Sequence, residues 1–197
     1  MMKIAGLILA AGESTRFGGR KQLADIDGKP MLEHAIDQLR PIFNDDLYVV
    51  LGAFRDEILS VIGNRAKTIT NDNWQFGMGS SIAAGIAGIC AAGTYDGVLI
   101  ALADQIGLTG NDYQKLLNAF DGSHVIASRY KEMNGVPALF PAAYFPELSK
   151  VDGARGAQQV LNSSSHDISA IAMPNAAFDI DTQDDLKLFA NRLFEPG

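Results

Sequence analysis

The chain has 197 residues, 47% hydrophobic and 20% charged, a globular balance with room for one sizeable core and too short for two ordinary domains. Asp and Glu outnumber Lys and Arg by 23 to 16, a net charge of −7, which excludes a general nucleic-acid coat but not a small anionic ligand held by a few local cations. One cysteine, Cys90, rules out an internal disulfide; with no apolar run of membrane length and no signal-type leader over Met1 to Ala10, the expected setting is a reducing cytoplasm, with neither nucleic acid nor membrane as partner.

Lys3 to Ala10 (KIAGLILA) is a nearly continuous apolar run, the pattern of a strand buried on both faces, and it ends in glycine-rich sequence. Met31, Leu32, Ala35, Ile36 and Leu39 then share one helical face, with Pro30 at the first turn. Leu47 to Leu51 reads as a second buried strand, Phe54 to Ile62 as a helix, and Lys67 to Thr70 as a short third strand. Ser80 to Cys90 is an apolar helical run in which Cys90 is expected to face the core. Gly97 to Ala103 (GVLIALA) reads as a central strand.

The second half is less regular. Helices are expected over Asp112 to Phe120 and Arg155 to Leu161, and strands over His124 to Ser128 and Ile168 to Ala172. Pro137 to Phe140 is a further strand, and its proline suggests an edge or an entry point. A closing helix spans Asp185 to Leu193, with Thr182 as N-cap and acids in the first turn; Ser163 to Ser165 signals a loop. Strands alternating with helices predict an α/β fold in three layers, a mainly parallel sheet with helices on both faces. No repeat or linker divides residues 1–197, which read as a single domain.

Three segments carry chemistry. The first is Leu9 to Gln22 (LAAGESTRFGGRKQ), leaving the carboxyl end of the first strand, where open α/β sheets bind ligands. Gly12, Gly18 and Gly19 let backbone N–H groups approach an anion, and Arg16 and Lys21 add cations, a set suited to a triphosphate. The spacing is neither G-x-G-x-x-G nor G-x-x-x-x-G-K-[ST], which disfavours a dehydrogenase-type dinucleotide loop and a P-loop. The second is Asp104, directly after the central strand, where a carboxylate holds Mg²⁺ or simply caps the next turn. The third is Phe178 to Thr182 (FDIDT), whose alternation puts Asp179 and Asp181 on one side, where Asp181 either completes a two-carboxylate Mg²⁺ site with Asp104 or compensates charge at the N-terminus of the last helix. Asn71 to Ser81 (NDNWQFGMGSS) suits close approach to a flat base, with Trp74 more often a packing residue than a stacking platform. His34, His124 and His166 show no metal-ligand spacing.

The run LAAGESTRFG followed by KQL resembles the signature of the nucleotidyltransferases that mature the molybdenum cofactor, L-A-[AG]-G-x-S-x-R-[MF]-G…K. The resemblance continues through Asn71 to Ser81 with Gly85, Ala103-Asp104-Gln105, Asn134 to Phe140 (NGVPALF) and Asp179 to Leu186 (DIDTQDDL). It implies a Rossmann-like sheet of the GT-A-like nucleotidyltransferase type, with a nucleotide-binding half at 1–105 and an acceptor-binding half at 106–197. Carried over, Leu9, Ala10, Ala11 and Gly12 lie along the nucleotide, Arg16 and Lys21 bind its phosphates, Gly79 and Ser80 approach the base or ribose, and Asp104 and Asp181 hold Mg²⁺. Arg16, Lys21 and Asp104 are then the catalytic groups. Ala11, and with it the G-M-G-S-S segment, leans towards CTP, because members with L-A-G-G use GTP.

The implied reaction transfers CMP from CTP to a molybdopterin-type acceptor, with a molybdenum hydroxylase or its chaperone downstream. The chain departs from the pattern at Ile106 and Gln183, which replace prolines, at Phe17 for the commoner Met, and at Gly153 to Ala157 (GARGA), where the usual G-D-x-G-A has an acid. Rival readings are a nucleotidyltransferase using GTP or another phosphorylated acceptor, an oxidoreductase on the same fold, and a nucleotide-binding chaperone without turnover.

Overall fold

The computed structural model describes residues 2–162 and 167–193, so the serine run 163–165 and His166 lie outside the described residues. In chain order, β1 (Ile4–Leu9) is followed by a two-residue hairpin, β2 (Asp25–Ile26) and β3 (Lys29–Pro30), and then by α1 (Met31–Phe43). Next come β4 (Leu47–Leu51), α2 (Arg55–Ile62), β5 (Lys67–Thr70), α3 (Met78–Ala92), β6 (Gly97–Leu102) and α4 (Gly110–Ala119). The remainder is β7 (Val125–Tyr130), β8 (Met133–Pro141), α5 (Phe145–Leu148), α6 (Gln158–Leu161), β9 (Ile168–Ala172) and α7 (Gln183–Leu193).

Seven strands form one sheet in the order β5-β4-β1-β6-β8-β7-β9. β5, β4, β1 and β6 pair in parallel, β8 runs antiparallel between β6 and β7, and β9 is parallel to β7. The expected three-layer, mainly parallel α/β architecture is what the chain adopts. Alternation along β1 sends Ile8 into one core and Leu7 and Leu9 into the other. Leu32, Ile36 and Leu39 of α1, with Ile58 and Ile62 of α2 and Leu116 of α4, cover the first face. Ile82, Ile86 and Ile89 of α3 cover the second, helped by Leu148, Val160 and Leu161. Each such side chain contributes about 1.5–3 kcal/mol on burial. α3 lies close to the sheet because Gly85 lacks a Cβ, which would stand 2.5 Å from a Leu7 methyl.

Three expectations need correction. Cys90 is exposed, not core: the buried stripe of α3 ends at Ile89, and the last turn, Cys90 to Ala92, faces solvent. β8 is an interior strand despite Pro137. The β7–β8 register shifts between Ala127 and Ser128, so Val136 and Pro137 form a bulge where the missing N–H interrupts no ladder. Ser128 Oγ donates to the Pro137 carbonyl there at 2.6 Å. The helix expected from Arg155 shrinks to α6, because Gly156 takes a left-handed φ of 51° just before it. α7 begins as read, with Thr182 and Asp185 exchanging cap bonds: Asp185 N–H to Thr182 Oγ1 at 3.1 Å and Thr182 N–H to Asp185 Oδ2 at 2.8 Å.

Candidate active site

The polypeptide leaves β1 at Leu9 and turns into the glycine-rich loop. Ser14 is left-handed (φ 59°, ψ 47°) and a short 3₁₀ turn, Thr15–Phe17, follows it. A left-handed residue followed by a helical one aims successive N–H groups into one concavity. Gly18 and Gly19 continue with φ of 87° and 143°, values that favour glycine. Phe17 is buried with Ile26, Met31 and Ile180, which anchors the loop from below.

Gln22 closes the loop. Its buried side chain donates Nε2–H to Ala10 O at 3.0 Å and to Gly12 O at 2.7 Å. Ala53 N–H donates to Ala11 O at 3.0 Å. Among the described residues, no backbone N–H from Ala11 to Arg16 donates to a protein acceptor. A Cβ built on Gly12 meets nothing within 4 Å, so protein packing does not require glycine there. N–H groups without protein acceptors beside open space suit an anion.

That space is a cavity of about 360 Å³. Leu9, Ala10, Ala11, Gly12, Arg16 and Lys21 line it, with Trp74, Gly77 and Ser81 also in its wall and Asp104 and Asp181 on the same cavity. Lys21 Nζ lies 2.5 Å from Asp104 Oδ2 and 3.2 Å from Asp181 Oδ1, and Arg16 reaches the other Asp181 oxygen at 2.8 Å. Asp104 Oδ1 is buried without a partner. Burial pushes the Asp104 carboxyl above its ordinary value, against the opposing pull of Lys21. Two convergent carboxylates and an orphaned carboxylate oxygen fit a divalent cation that keeps several waters or phosphate oxygens as further ligands. Among the described residues there is no group of three or more His, Cys, Asp or Glu side chains placed to hold a metal.

The sequence reading of the far wall needs adjustment. Gly79 and Ser80 are absent from the cavity wall. Gly79 packs against the 152–154 segment, donating its N–H to Gly153 O at 2.9 Å, and a Cβ there would lie 2.4 Å from Asp152 C. Ser80 Oγ is held by the Asn73 and Gly77 carbonyls at 2.9 and 2.8 Å. Ser81 takes their place on the wall, with its Oγ accepting from Asn71 Nδ2 at 3.0 Å. The second serine and the leading asparagine of NDNWQFGMGSS were the available signals. Asp179 lines a separate recess of about 230 Å³, not the cavity that Asp181 lines. Its charge still helps to raise Asp104. Among the described residues no helix is long and apolar enough to cross a membrane.

The family model described as MobA-like NTP transferase domain matches residues 6–168. A nicotine blue oxidoreductase from Paenarthrobacter nicotinovorans is 29% identical over 168 residues, 80% of this chain and 81% of that one. A probable molybdenum cofactor guanylyltransferase from Pyrococcus horikoshii is 28% identical over 154 residues, 78% and 76% of the two chains. The crystal structure of the Rv0371c homologue from Mycobacterium sp. strain JC1 superposes with a TM-score of 0.85 at 25% identity, covering 97% of this chain and 96% of that one.

Proposed function

The chain belongs to the family of MobA-like NTP transferase domains and is a nucleotidyltransferase, and from that premise we propose that it transfers CMP from CTP to the terminal phosphate of a molybdenum–pterin cofactor. The observation that carries this reading is the convergence of the free N–H groups of the loop, Arg16, Lys21, Asp104 and Asp181 on one cavity. A phosphate oxygen of the acceptor forms a bond to the α-phosphorus, the bond from that phosphorus to the bridging oxygen breaks, and pyrophosphate leaves. The nucleophile is already an anion, so positioning and charge neutralisation carry the catalysis.

In this reading the N–H groups of Gly12 to Arg16 seat the phosphates, and Arg16 and Lys21 offset charge that moves onto pyrophosphate. Asp104 and Asp181 would hold Mg²⁺, which supplies Lewis-acid neutralisation of phosphate oxygens. The base lies towards Ala11, Gly77 and Ser81, and Ala11 with the G-M-G-S-S segment favours cytosine over guanine. The nucleotide belongs to the 1–105 half and the acceptor to the 106–197 half, which also lends Ala154 and Asp181 to the cavity wall. A molybdenum hydroxylase or its chaperone receives the product.

The oxidoreductase reading has the support of the 29% identical relative, but two carboxylates facing two cations suit phosphate chemistry better than hydride transfer. The deciding experiment is pyrophosphate release from each of the four nucleoside triphosphates with Mg²⁺ and the pterin acceptor. Release with CTP supports the proposal. A nicotinamide-dependent absorbance change without pyrophosphate release overturns it.

A further inference from the structure

Asp104 and Asp181 both reach Lys21 Nζ, at 2.5 and 3.2 Å, but the fold carries the two carboxylates in different ways. Asp104 stands at the end of β6, a strand paired with β1 on one side and β8 on the other, so the sheet fixes it. Asp181 lies on the stretch between β9 and α7, which makes a 3₁₀ turn at Pro174–Ala177 and then runs on outside the sheet. A carboxylate on such a stretch is placed by whatever ties the stretch down.

The Asp104–Gln105 dipeptide supplies two of the ties. The Ile180 N–H donates to the Asp104 carbonyl at 3.3 Å. Gln105 Nε2 donates to the Ala176 carbonyl and to the Val136 carbonyl of β8, each at 2.9 Å. The Tyr130 hydroxyl donates to the same Val136 carbonyl at 3.1 Å, which fixes it from β7 as well. One amide nitrogen thus pins the turn before Asp181 to an interior strand of the sheet.

Gln105 is 4% exposed and is absent from the cavity wall. Its Oε1 is buried without a partner. An apolar side chain of the same length would fill the space without an orphaned oxygen, and burying an unpaired acceptor offsets what the two donated bonds gain. Stability alone is therefore a poor account of an amide at this place. What an apolar side chain cannot do is hold two carbonyls, forty residues apart in sequence, to one atom.

We infer that Gln105 is a positioning residue for the metal site: its amide, shared between the Val136 and Ala176 carbonyls, holds the stretch that carries Asp181 against the end of β6 that carries Asp104. The inference rests on the reading of Asp104 and Asp181 as the carboxylates that hold the divalent cation. Groups behind the ligands orient them, and losing one typically costs about 10- to 100-fold in metal affinity.

The test is Mn²⁺ binding without nucleotide, followed by electron paramagnetic titration. The parent is Lys21→Met, in which no ammonium competes for the carboxylates, and it is compared with the same chain carrying Gln105→Met, Asp181→Ala or both. Thermal melts check folding. Gln105→Met is expected to weaken Mn²⁺ about tenfold or more. With Asp181→Ala already present it is expected to cost less than about twofold, because the ligand it positions is gone. If Gln105→Met fails to fold, Gln105→Asn, whose shorter amide cannot span both carbonyls, takes its place in the same cycle. An equal cost with and without Asp181 overturns the inference and makes the amide a general brace. So does Mn²⁺ binding that Asp181→Ala weakens and the Gln105 variant does not. Mn²⁺ binding that is absent from the parent, or indifferent to Asp181→Ala, overturns the metal pair and the inference with it, and leaves the phosphate contacts of the transferase reading standing.

Discussion

Lys21 Nζ lies 2.5 Å from Asp104 Oδ2, so an ammonium from the first loop caps the carboxylate at the end of β6. The same nitrogen reaches Asp181, 160 residues away in sequence, at 3.2 Å. Lys21 thus stands where two ligands of a divalent cation would converge. Were a triphosphate to draw Lys21 away, both carboxylates would be freed, and metal and nucleotide would bind together.

The first prediction follows from that geometry. Mn²⁺ added without nucleotide should bind the wild type weakly, and Lys21→Met should bind it roughly tenfold or more tightly, since a charge-assisted bond worth about 1.5–3 kcal/mol no longer competes. Asp104→Asn should abolish both metal binding and turnover. Electron paramagnetic titration of free Mn²⁺ measures the affinity. Equal nucleotide-free affinity in wild type and Lys21→Met would mean that the ammonium does not guard the site.

Arg16 differs from Lys21 in setting. Its guanidinium is largely exposed, at 75%, whereas Lys21 is 13% exposed. Both line the same cavity. Arg16→Ala and Lys21→Ala should each weaken CTP more than CMP, with the larger loss at Lys21 because its charge is less screened by solvent. A ten-fold or greater loss for CTP is expected at Lys21, from about 1.5–3 kcal/mol. Parallel titrations of CTP and CMP decide it, and equal losses for both ligands would show that neither side chain reads the phosphate tail.

Much of this arrangement was legible beforehand, for identifiable reasons. β1 and β6 are buried on both faces, so their apolar runs are unbroken, and a polar residue directly after such a run, as at Asp104, must sit at the strand end. The loop announces itself because glycines and cations rarely share a strand terminus by chance. Gln22 was opaque: nothing in a lone Gln says that its amide turns back onto Ala10 and Gly12. The exchange of Ser80 for Ser81 on the wall was equally hidden, because it depends on where Gly77 turns the chain into α3. Residue type alone does not place Cys90 or Pro137: the exposure of Cys90 depends on where the buried stripe of α3 ends, and the interior position of Pro137 on where the β7–β8 register slips.

His124 supplies the pH dependence. Its Nδ1 meets Asp121 Oδ2 at 2.7 Å and its Nε2 lies 3.4 Å from Asp167 Oδ2. The hydrogen bond to Asp121 raises the imidazole above its ordinary 6.5. The Ser123 N–H, followed by the His124 ring, holds Asp121 below its ordinary 3.8. Stability from the raised His is full below pH 6.5 and is lost as pH rises through its folded value. Stability from the depressed Asp is full above pH 3.8 and is lost as pH falls through its folded value. The urea midpoint should therefore decline as pH rises from the ordinary 6.5 through the folded value, by a small amount for so exposed a pair, and His124→Asn should flatten that limb. A limb of the same size in His124→Asn would assign it to another group.

Gly12 and Gly79 make the last prediction, because alanine meets opposite surroundings at the two positions. At Gly79 the new methyl would lie 2.4–2.6 Å from backbone atoms of Asp152, which cannot rotate away. Alanine improves helix propensity by about 1 kcal/mol over glycine, but the overlap should cost more, within the roughly 1–3 kcal/mol typical of overpacking. The bond from Gly79 N–H to Gly153 O should break, moving Ala154 at the cavity wall. Gly79→Ala is therefore expected to lower the melting temperature and to weaken CTP as a consequence. At Gly12 nothing lies within 4 Å of the added carbon, so Gly12→Ala should melt within about 0.5 kcal/mol of wild type. The methyl group would instead occupy the open space beside the loop and bar the phosphates, so CTP binding should fall by more than tenfold in a fully stable protein. Thermal melts paired with CTP titration of both variants provide the measurement. A Gly12→Ala protein that binds CTP like the wild type would remove the phosphates from this loop, and a Gly79→Ala protein with unchanged stability would show that the 152–154 segment yields freely.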